Sequence, residues 1–326
     1  MQPMRWACRS IAASEFSGMV AFTCMARSGN PTRTSRRAAS PMPVCRLDRT
    51  GNPVRAAAMT YGTYVERTET RTDTISADML HRMAATLGVP VPEQVPPGWH
   101  WTLFQDWAAP DGLGPDGHPR RGGFLPPVHD LPRRMWAGGE VRLLVPLRAG
   151  DAVTRTSTIR AVQDKQGGTG RLVFVTLDHV ITGPHGPAIE ERQDLVYRGA
   201  DGAAVKPGDP APHIGANQDR TVLPDAVLLF RYSALTGNGH RIHYDADYVR
   251  GEEGYPGLVV HGPLQATWMA ALPGVPLSRF SFRGRRPAFA GASLRMQAWR
   301  DGAGWRMRTL DPSGAVCMEG EAAPCS

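Results

Sequence analysis

One stretch of the sequence, residues 230–264, concentrates side chains that can transfer protons. Its two parts read FRYSALTGNGHRIHYDADY and EGYPGLVVHGPL, and they hold three of the ten histidines, His240, His243 and His261. Histidine is the side chain best suited to accept and return a proton near neutral pH. The same stretch adds polar functions at Tyr232, Thr236, Asn238, Arg241 and Asp245. We therefore take it as the first candidate for a catalytic and substrate-binding site.

The histidines allow three interpretations. The plainest is a polar turn in which hydrogen bonds satisfy each histidine. The second is a metal site, because His240, His243 and Asp245 offer ligand types suited to zinc or iron. Their spacing does not place them on one helical face and no fourth ligand stands out in the sequence, so we expect neither a metal nor another cofactor. The third is acid–base chemistry on an acyl thioester, which needs a base and a site for the carbonyl oxygen.

The segment VVHGPL supplies a site for such an oxygen. Pro263 suits the first turn of a helix, so the chain is predicted to enter a helix next to Gly262. The first N–H groups of a helix have no partner within it and carry the positive end of its dipole. Led by that of Gly262, they are suited to hold a thioester oxygen that gains enolate charge.

Three segments resemble a known family of enzymes. YSALTGNGHRIHYD and EGYPGLVVHGPL, with LPRRMWAGGE earlier in the chain, are similar to the MaoC-like hot-dog hydratases and dehydratases. The resemblance is strongest to the branch of 3-hydroxyacyl-thioester dehydratase type 2 and of mesaconyl-C4-CoA and itaconyl-CoA hydratases. It runs from about Met59 to Pro324 and implies an α+β double hot-dog, in which each half wraps a curved antiparallel sheet around a long helix.

The resemblance also implies an activity and a catalytic pair. The activity is reversible hydration of an α,β-unsaturated acyl thioester, with acyl-CoA of the mesaconyl, itaconyl or enoyl type, or acyl-carrier protein, as the partner. The family's catalytic Asp falls on Asn238, its His on His243 and its oxyanion donor on Gly262. Because Asn cannot act as a carboxylate base, either His243 is the main base with Asn238 orienting, or another acid such as Asp245 contributes.

Other residues are candidates for binding the substrate. FSFRGRRPAF contains Arg283, Arg285 and Arg286, and guanidinium groups fit the phosphates of coenzyme A. A solvated basic edge strand explains these arginines equally well. Trp136, with its neighbours Arg133 and Arg134, could wall the acyl pocket or could belong to core and surface.

The elements around these residues fall into two similar sets. In the first, Ser76 is predicted to cap a helix with Met79, Leu80, Met83 and Leu87 on one face, ended by Gly88. A segment rich in Pro, Gly and Trp, 90–132, is too long for an ordinary connection and is predicted to form a functional loop or a wall of the site. Four predicted strands follow between positions 139 and 198.

The second set repeats this arrangement. VLLFRY is predicted as a strand, and a helix beginning at Pro263 carries Leu264, Trp268, Ala271 and Leu272 at helical spacing. Strands are predicted at SRFSFRG, ASLRMQAWR, GWRMRTL and AVCMEGEA. We therefore divide the 326 residues into an extension (1–58), an N-terminal hot-dog (59–200), a linker (201–220) and a C-terminal hot-dog (221–326).

The basic charge belongs to the extension alone. Residues 1–58 hold nine Arg and two acidic residues, which accounts for the whole net charge of +7. In the remaining chain the basic and acidic side chains are equal in number, so we expect no nucleic-acid partner. The extension lacks periodicity and is predicted to be unstructured. A transit peptide is the alternative, and a secretory signal fits less well because Glu15 interrupts its apolar stretch.

Compartment and partners follow from the same composition. No apolar run reaches the roughly 20 residues of a membrane helix, so no membrane association is expected. Five cysteines without framework spacing point to a reducing compartment. We predict a cytoplasmic protein, or a mitochondrial one if residues 1–58 are a transit peptide, and allow for a homodimer. A hot-dog thioesterase and an acyl-CoA-binding protein without activity are the alternative functions.

Overall fold

The computed structural model describes residues 61–168, 170–200 and 208–325. The predicted extension, 1–58, lies outside the described residues. From Met59 onward the chain forms one compact unit. The helices are α1 (Ala77–Leu87), α2 (Ala226–Thr236), α3 (Ala246–Gly251) and α4 (Gly262–Ala271). The strands are β1 (Thr68–Thr74), β2 (Arg133–Leu143), β3 (Ala152–Gly167), β4 (Gly170–Gly183), β5 (Gly186–Arg198), β6 (Gln218–Val222), β7 (Leu277–Gly284), β8 (Leu294–Asp301), β9 (Gly304–Leu310) and β10 (Val316–Pro324).

All ten strands form one antiparallel sheet in the order β1-β3-β4-β5-β2-β7-β10-β9-β8-β6. The first five strands therefore lie on one side and the last five on the other. The two sides join where β2 pairs with β7, from Gly138 opposite Arg283 to Arg142 opposite Arg279. This junction between the halves is the position at which a ligand can contact both.

Helix α1 belongs to the N-terminal half and begins and ends as predicted. The Ser76 hydroxyl accepts a hydrogen bond from the Met79 N–H at 3.0 Å, and Gly88 ends the helix in the left-handed conformation with φ 67°. Leu80 and Met83 are buried in a core with residues of β2 to β5. The cap, the glycine stop and the apolar face together fix the helix against its sheet.

Helix α4 holds the same place in the C-terminal half. Pro263 lies in its first turn, as predicted, and Met269 packs with Phe280 of β7 and Met307 of β9. Most of the helix is buried because β7 to β10 surround it. The predicted packing of one long helix against the strands of each half is confirmed, although the strands of both halves form a single sheet. None of the helices in the described ranges has the length and apolarity needed to cross a membrane.

The prediction of a strand at VLLFRY was wrong, since these residues form most of α2. Asp225 caps that helix by accepting from the Leu228 N–H at 2.7 Å, and Gly237 ends it with φ 61°. A short apolar run gives no periodicity that separates a buried helix from a strand. Strands β1 and β6 were not predicted because they are polar strands at the two ends of the sheet.

The junction of the halves leaves no room for a side chain at Gly138. A Cβ atom there would lie 2.5 Å from the Phe282 carbonyl oxygen of β7. We expect Gly138→Ala to lower the free energy of unfolding by about 1–3 kcal/mol, since the strands must separate. Urea unfolding measures this loss. Gly123→Ala is the control, because a Cβ at Gly123 meets no atom within 4 Å, and an equal loss in both variants would contradict the assignment.

Candidate active site

A cavity of about 800 Å³ lies between the two halves and is lined by residues of both. Part of its wall comes from β2 and β5, and part from the chain around α4 and the turn before α3. Nine of the candidate site residues singled out in the sequence line it: Arg133, Arg134, Trp136, Asn238, His240, His243, Gly262, Arg285 and Arg286. The remaining six, Tyr232, Thr236, Arg241, Asp245, His261 and Arg283, lie outside its lining.

His243 is held as a neutral imidazole with one defined tautomer. It lies in a short helical turn after His240, is buried, and its Nδ1 is 2.7 Å from the Val259 carbonyl oxygen. A carbonyl oxygen only accepts, so Nδ1 carries the proton and Nε2 keeps its lone pair. Burial lowers the pKa of His243 to about 4, despite the opposing effect of the Val259 hydrogen bond. At neutral pH the residue is therefore a base that faces the cavity.

The ring of His261 packs against one face of the His243 ring. The two rings stack with centroids 3.6 Å apart and planes 17° from parallel. His261 is fully buried, its Nε2 lies 2.8 Å from the Ser233 hydroxyl, and the Tyr232 ring meets it edge-on at 5.0 Å. Burial, followed by the charges of His243 and His240, lowers the pKa of His261. His261 and Tyr232, predicted to contact the substrate, instead pack behind the His243 ring and do not line the cavity.

Asn238 shapes the turn that carries the histidines. Its Oδ1 accepts a hydrogen bond from the His240 N–H at 3.0 Å. One turn earlier, at the end of α2, the Thr236 hydroxyl donates to the Tyr232 carbonyl at 2.7 Å and takes no part in the cavity wall. The carbonyl of the Asn238 side chain is thus engaged by the backbone, and its amide nitrogen is the part free to meet a ligand.

Arg241 and Asp245 pair with each other outside the cavity. Arg241 Nη2 lies 2.7 Å from Asp245 Oδ2, and the other carboxylate oxygen accepts from the Tyr248 N–H at 3.0 Å to begin α3. That N–H and the Arg241 bond lower the pKa of Asp245. A carboxylate held this way does not join His240 and His243 as a ligand set or supply the missing acid.

The three predicted arginines separate in the structure. Arg283 is exposed on β7 and does not line the cavity. Arg285 lies at the cavity rim, where its Nε donates to Glu319 at 2.8 Å. Arg286 also lines the cavity and packs closely against Gly208. Two of the three guanidinium groups are therefore placed where they can meet an anionic ligand.

Gly262 and Trp136 face each other across the junction of the halves. Gly262 is the first residue of α4, and a Cβ there would lie 4.0 Å from the Trp136 carbonyl oxygen. A bulge in β2 between Trp136 and Gly138 turns the tryptophan, whose Nε1 donates to the Gly138 carbonyl at 2.9 Å. Bulges commonly redirect side chains beside active sites. The indole packs edge-on against Trp101 at 5.0 Å and forms part of the cavity wall.

The fold brings to the cavity two groups that the sequence pattern did not predict. The first is His118, whose Nδ1 lies 3.0 Å from Asp116 Oδ2 and whose ring is 4.2 Å from that of His240. Both residues belong to the long segment predicted to wall the site, so the segment was identified but not its acid–base pair.

The second group is a buried set of polar side chains in the N-terminal half. Glu191 of β5 accepts from Trp101 Nε1 at 2.9 Å and lies 3.2 Å from His100 Nε2. Burial opposes ionisation, but the hydrogen bonds from these two residues lower the pKa of Glu191. Arg155 and His179 line the same part of the cavity. A separation of about 90 residues between the partners leaves no local signal in the sequence.

The buried histidines predict a loss of stability on acidification. Burial lowers the pKa of His118, His240, His243 and His261 in the folded protein, whereas an unfolded histidine titrates near pH 6.5. The unfolded chain therefore binds protons first as the pH falls. The free energy of unfolding should be largest above about pH 6.5 and decrease below it, by up to about 1.4 kcal/mol per pH unit for each histidine.

Urea unfolding at about pH 7 and about pH 5 measures this decrease. His261→Gln removes one of the four groups and should make the pH dependence shallower, while His81→Gln, at an exposed position of α1, should not. A free energy of unfolding that stays constant over this range would contradict the neutral state of the histidines.

The chain is similar to known proteins of one enzyme family. A family model for hydroxyacyl-thioester dehydratase type 2 matches residues 98–290. The chain is 43% identical over 266 residues to mesaconyl-C(4)-CoA hydratase of Chloroflexus aurantiacus, covering 78% of this chain and 94% of that protein. It is 27% identical over 255 residues to the mitochondrial hydroxyacyl-thioester dehydratase type 2 of Schizosaccharomyces pombe, covering 68% and 84%.

Solved structures confirm the fold. HtdX of Mycobacterium tuberculosis matches with a TM-score of 0.60 and 15% identity, covering 79% of this chain and 99% of that one. A MaoC-like dehydratase of Phytophthora capsici matches with a TM-score of 0.60 and 16% identity, covering 80% and 96%. The fold is therefore a double hot-dog, and the chain belongs to the hydroxyacyl-thioester dehydratase type 2 family, a group of MaoC-like hydro-lyases.

Proposed function

We propose that this protein reversibly adds water to an α,β-unsaturated acyl-CoA, with His243 as its acid–base group. The observation that carries the proposal is the state of this imidazole: neutral, fixed by the Val259 carbonyl through Nδ1, and facing the cavity. The N-terminus of α4, at Gly262, lines the same cavity. A base and an oxyanion donor in one pocket are the two requirements of the reaction.

The geometry supports the following course of hydration. His243 Nε2 takes a proton from a water molecule, whose oxygen bonds to the β-carbon of the thioester. The electrons of the double bond move toward the carbonyl oxygen, which the Gly262 N–H stabilises as an enolate. The imidazolium then returns the proton to the α-carbon. Dehydration follows the same path in reverse, and no net proton enters or leaves.

The charge of the cavity favours an anionic substrate. Six arginines line it against three glutamates, among them Arg285 and Arg286 at one end. We assign these two to the phosphates of coenzyme A, which guanidinium groups bind well. The relative at 43% identity is named for mesaconyl-C(4)-CoA, so we propose mesaconyl-CoA as the first acyl group to test, with itaconyl- and crotonyl-CoA beside it. Use of acyl-carrier protein, a homodimer and a cytoplasmic location stay predictions.

Loss of His243 should remove the chemical step. We expect His243→Ala to lower kcat for hydration of the unsaturated thioester by roughly 10²–10⁴, the usual contribution of a positioned acid–base group. Decay of the enoyl-thioester absorbance measures the rate, with His81→Ala as the exposed control. A wild-type protein that releases thiol instead would be a thioesterase, and one that only binds the thioester would not be an enzyme. Either result, or normal turnover by His243→Ala, would refute the proposal.

The different positions of the arginines give a matched test of coenzyme A binding. Arg285→Ala and Arg286→Ala should raise KM with little change in kcat, because binding to the phosphates is equal in ground and transition states. Arg283→Ala is the control, since Arg283 is exposed outside the cavity. The effect should shrink for a pantetheine thioester that lacks the nucleotide phosphates, and equal effects on both substrates would place the phosphates elsewhere.

A further inference from the structure

The proposed hydration leaves room for a second group that accepts a hydrogen bond from the attacking water and orients it. Asn238 is an amide and not a carboxylate, and one lone pair of its Oδ1 already accepts from the His240 N–H. Asp245 is held by Arg241 outside the cavity. A neutral imidazole elsewhere in the cavity wall would be a stronger acceptor than this amide.

His118 meets the requirement. It lines the cavity, and its Nδ1 lies 3.0 Å from Asp116 Oδ2. The other oxygen of the same carboxylate, Oδ1, accepts a hydrogen bond from the His118 backbone N–H at 3.1 Å. An ionised carboxylate only accepts, so Nδ1 carries the proton and Nε2 keeps its lone pair. Burial, aided by the charge of Arg134, lowers the pKa of His118, while the neighbouring Asp116 opposes this. The residue is therefore a second neutral imidazole with a free acceptor.

The loop around His118 is built onto the catalytic turn. Arg241 donates its backbone N–H to the Asp116 carbonyl at 2.9 Å and its Nη1 to the Pro115 carbonyl at 3.1 Å. Gly117 and Gly239 approach so closely that a Cβ on Gly117 would lie 2.0 Å from the Gly239 carbonyl oxygen. These contacts fix a loop of the N-terminal half against the turn of the C-terminal half that carries His243.

We propose that His118, positioned by Asp116, is a second catalytic residue of this site. Its ring lies against that of His240, which in turn meets His243 edge-on at 5.6 Å. In the hydration step inferred above, on which this proposal rests, His243 takes one proton of the water and returns it to the α-carbon. His118 Nε2 accepts a hydrogen bond from the other hydrogen, which stays on the product hydroxyl, so atoms and charge balance.

Kinetics of mesaconyl-, itaconyl- and crotonyl-CoA hydration by variants at position 118 test the proposal. His118→Leu removes the acceptor and should lower kcat by roughly 10²-fold with KM changed less than about threefold. His118→Gln, whose amide oxygen can accept from water, should recover at least part of the loss. His129→Leu, at an exposed histidine of the same segment, is the control. Melting temperatures measured in parallel identify any variant that fails to fold.

A second variant moves the loop without changing the His118 side chain itself. Gly117→Ala should displace the loop, because of its contact with Gly239 and its φ of 86°. It should lower kcat in the wild-type background but add little when combined with His118→Leu, since both changes remove the same contact to water. Full additivity of the two changes would show that the loop acts by some other means and would overturn the proposal.

Two further results would overturn it. Asp116, His118 and His240 place one potential metal-ligand atom each within 4.8 Å of one another, so a bound metal ion must be tested. The protein is dialysed against EDTA, and its metal content is measured by elemental analysis. Activity that is lost with EDTA and restored by zinc would assign the cluster to a metal. Normal kcat in His118→Leu, with an active wild type, would refute the role of His118 alone. An inactive wild type would instead refute the proposed hydration.

Discussion

The hydrogen bond from His243 Nδ1 to the Val259 carbonyl, made in a buried position, is the contact on which the site depends. It selects the tautomer, and burial keeps the ring neutral, so that Nε2 can accept a proton near neutral pH. The stacked ring of His261 and the aromatic edge of Tyr232 beneath it keep water from that face. Side chains that do not line the cavity thus set the protonation state of the one that does.

The cavity that contains this imidazole and the first residue of α4 is lined by both halves of the chain. The pairing of β2 with β7 makes one continuous sheet and brings the Trp136 backbone against the first residue of α4. Close packing at Gly138 explains why a glycine stands at this junction. The loop of Asp116 and His118 crosses from the N-terminal half to the turn of Asn238 to His243, so that neither half contains the whole site.

The sequence was sufficient to predict most of the architecture and the centre of the site. Capping residues, helical spacing and alternating strands identified α1, α4 and eight strands, since these signals are local. It failed at α2, where VLLFRY has no periodicity to distinguish helix from strand, and at the polar end strands β1 and β6. Tyr232 and His261 were assigned to the substrate because a sequence shows which residues are near, but not which ring lies above another.

The residues that were missed depend on contacts across long separations. Asp116 and His118 lie more than 120 residues before His243, and Glu191 meets His100 only after β5 has joined the sheet. Arg285 and Arg283 are two residues apart, yet one reaches the cavity and the other does not. Strand β7 ends between them at Gly284, so the strand pattern that fixes Arg283 does not extend to Arg285. Only the residues around His243 are close to one another in the sequence; the other residues of the cavity wall come from distant positions.

The tautomer and charge of His243 test the account most directly. Nitrogen-15 NMR of the histidine side chains, assigned with His243→Asn and recorded at about pH 7, reports which ring nitrogen carries a proton. The account predicts a neutral ring with Nδ1 protonated and Nε2 free, and titration to the cation only near pH 4. A ring that is cationic at neutral pH, or that carries its proton on Nε2, would contradict the assignment of His243 as the base.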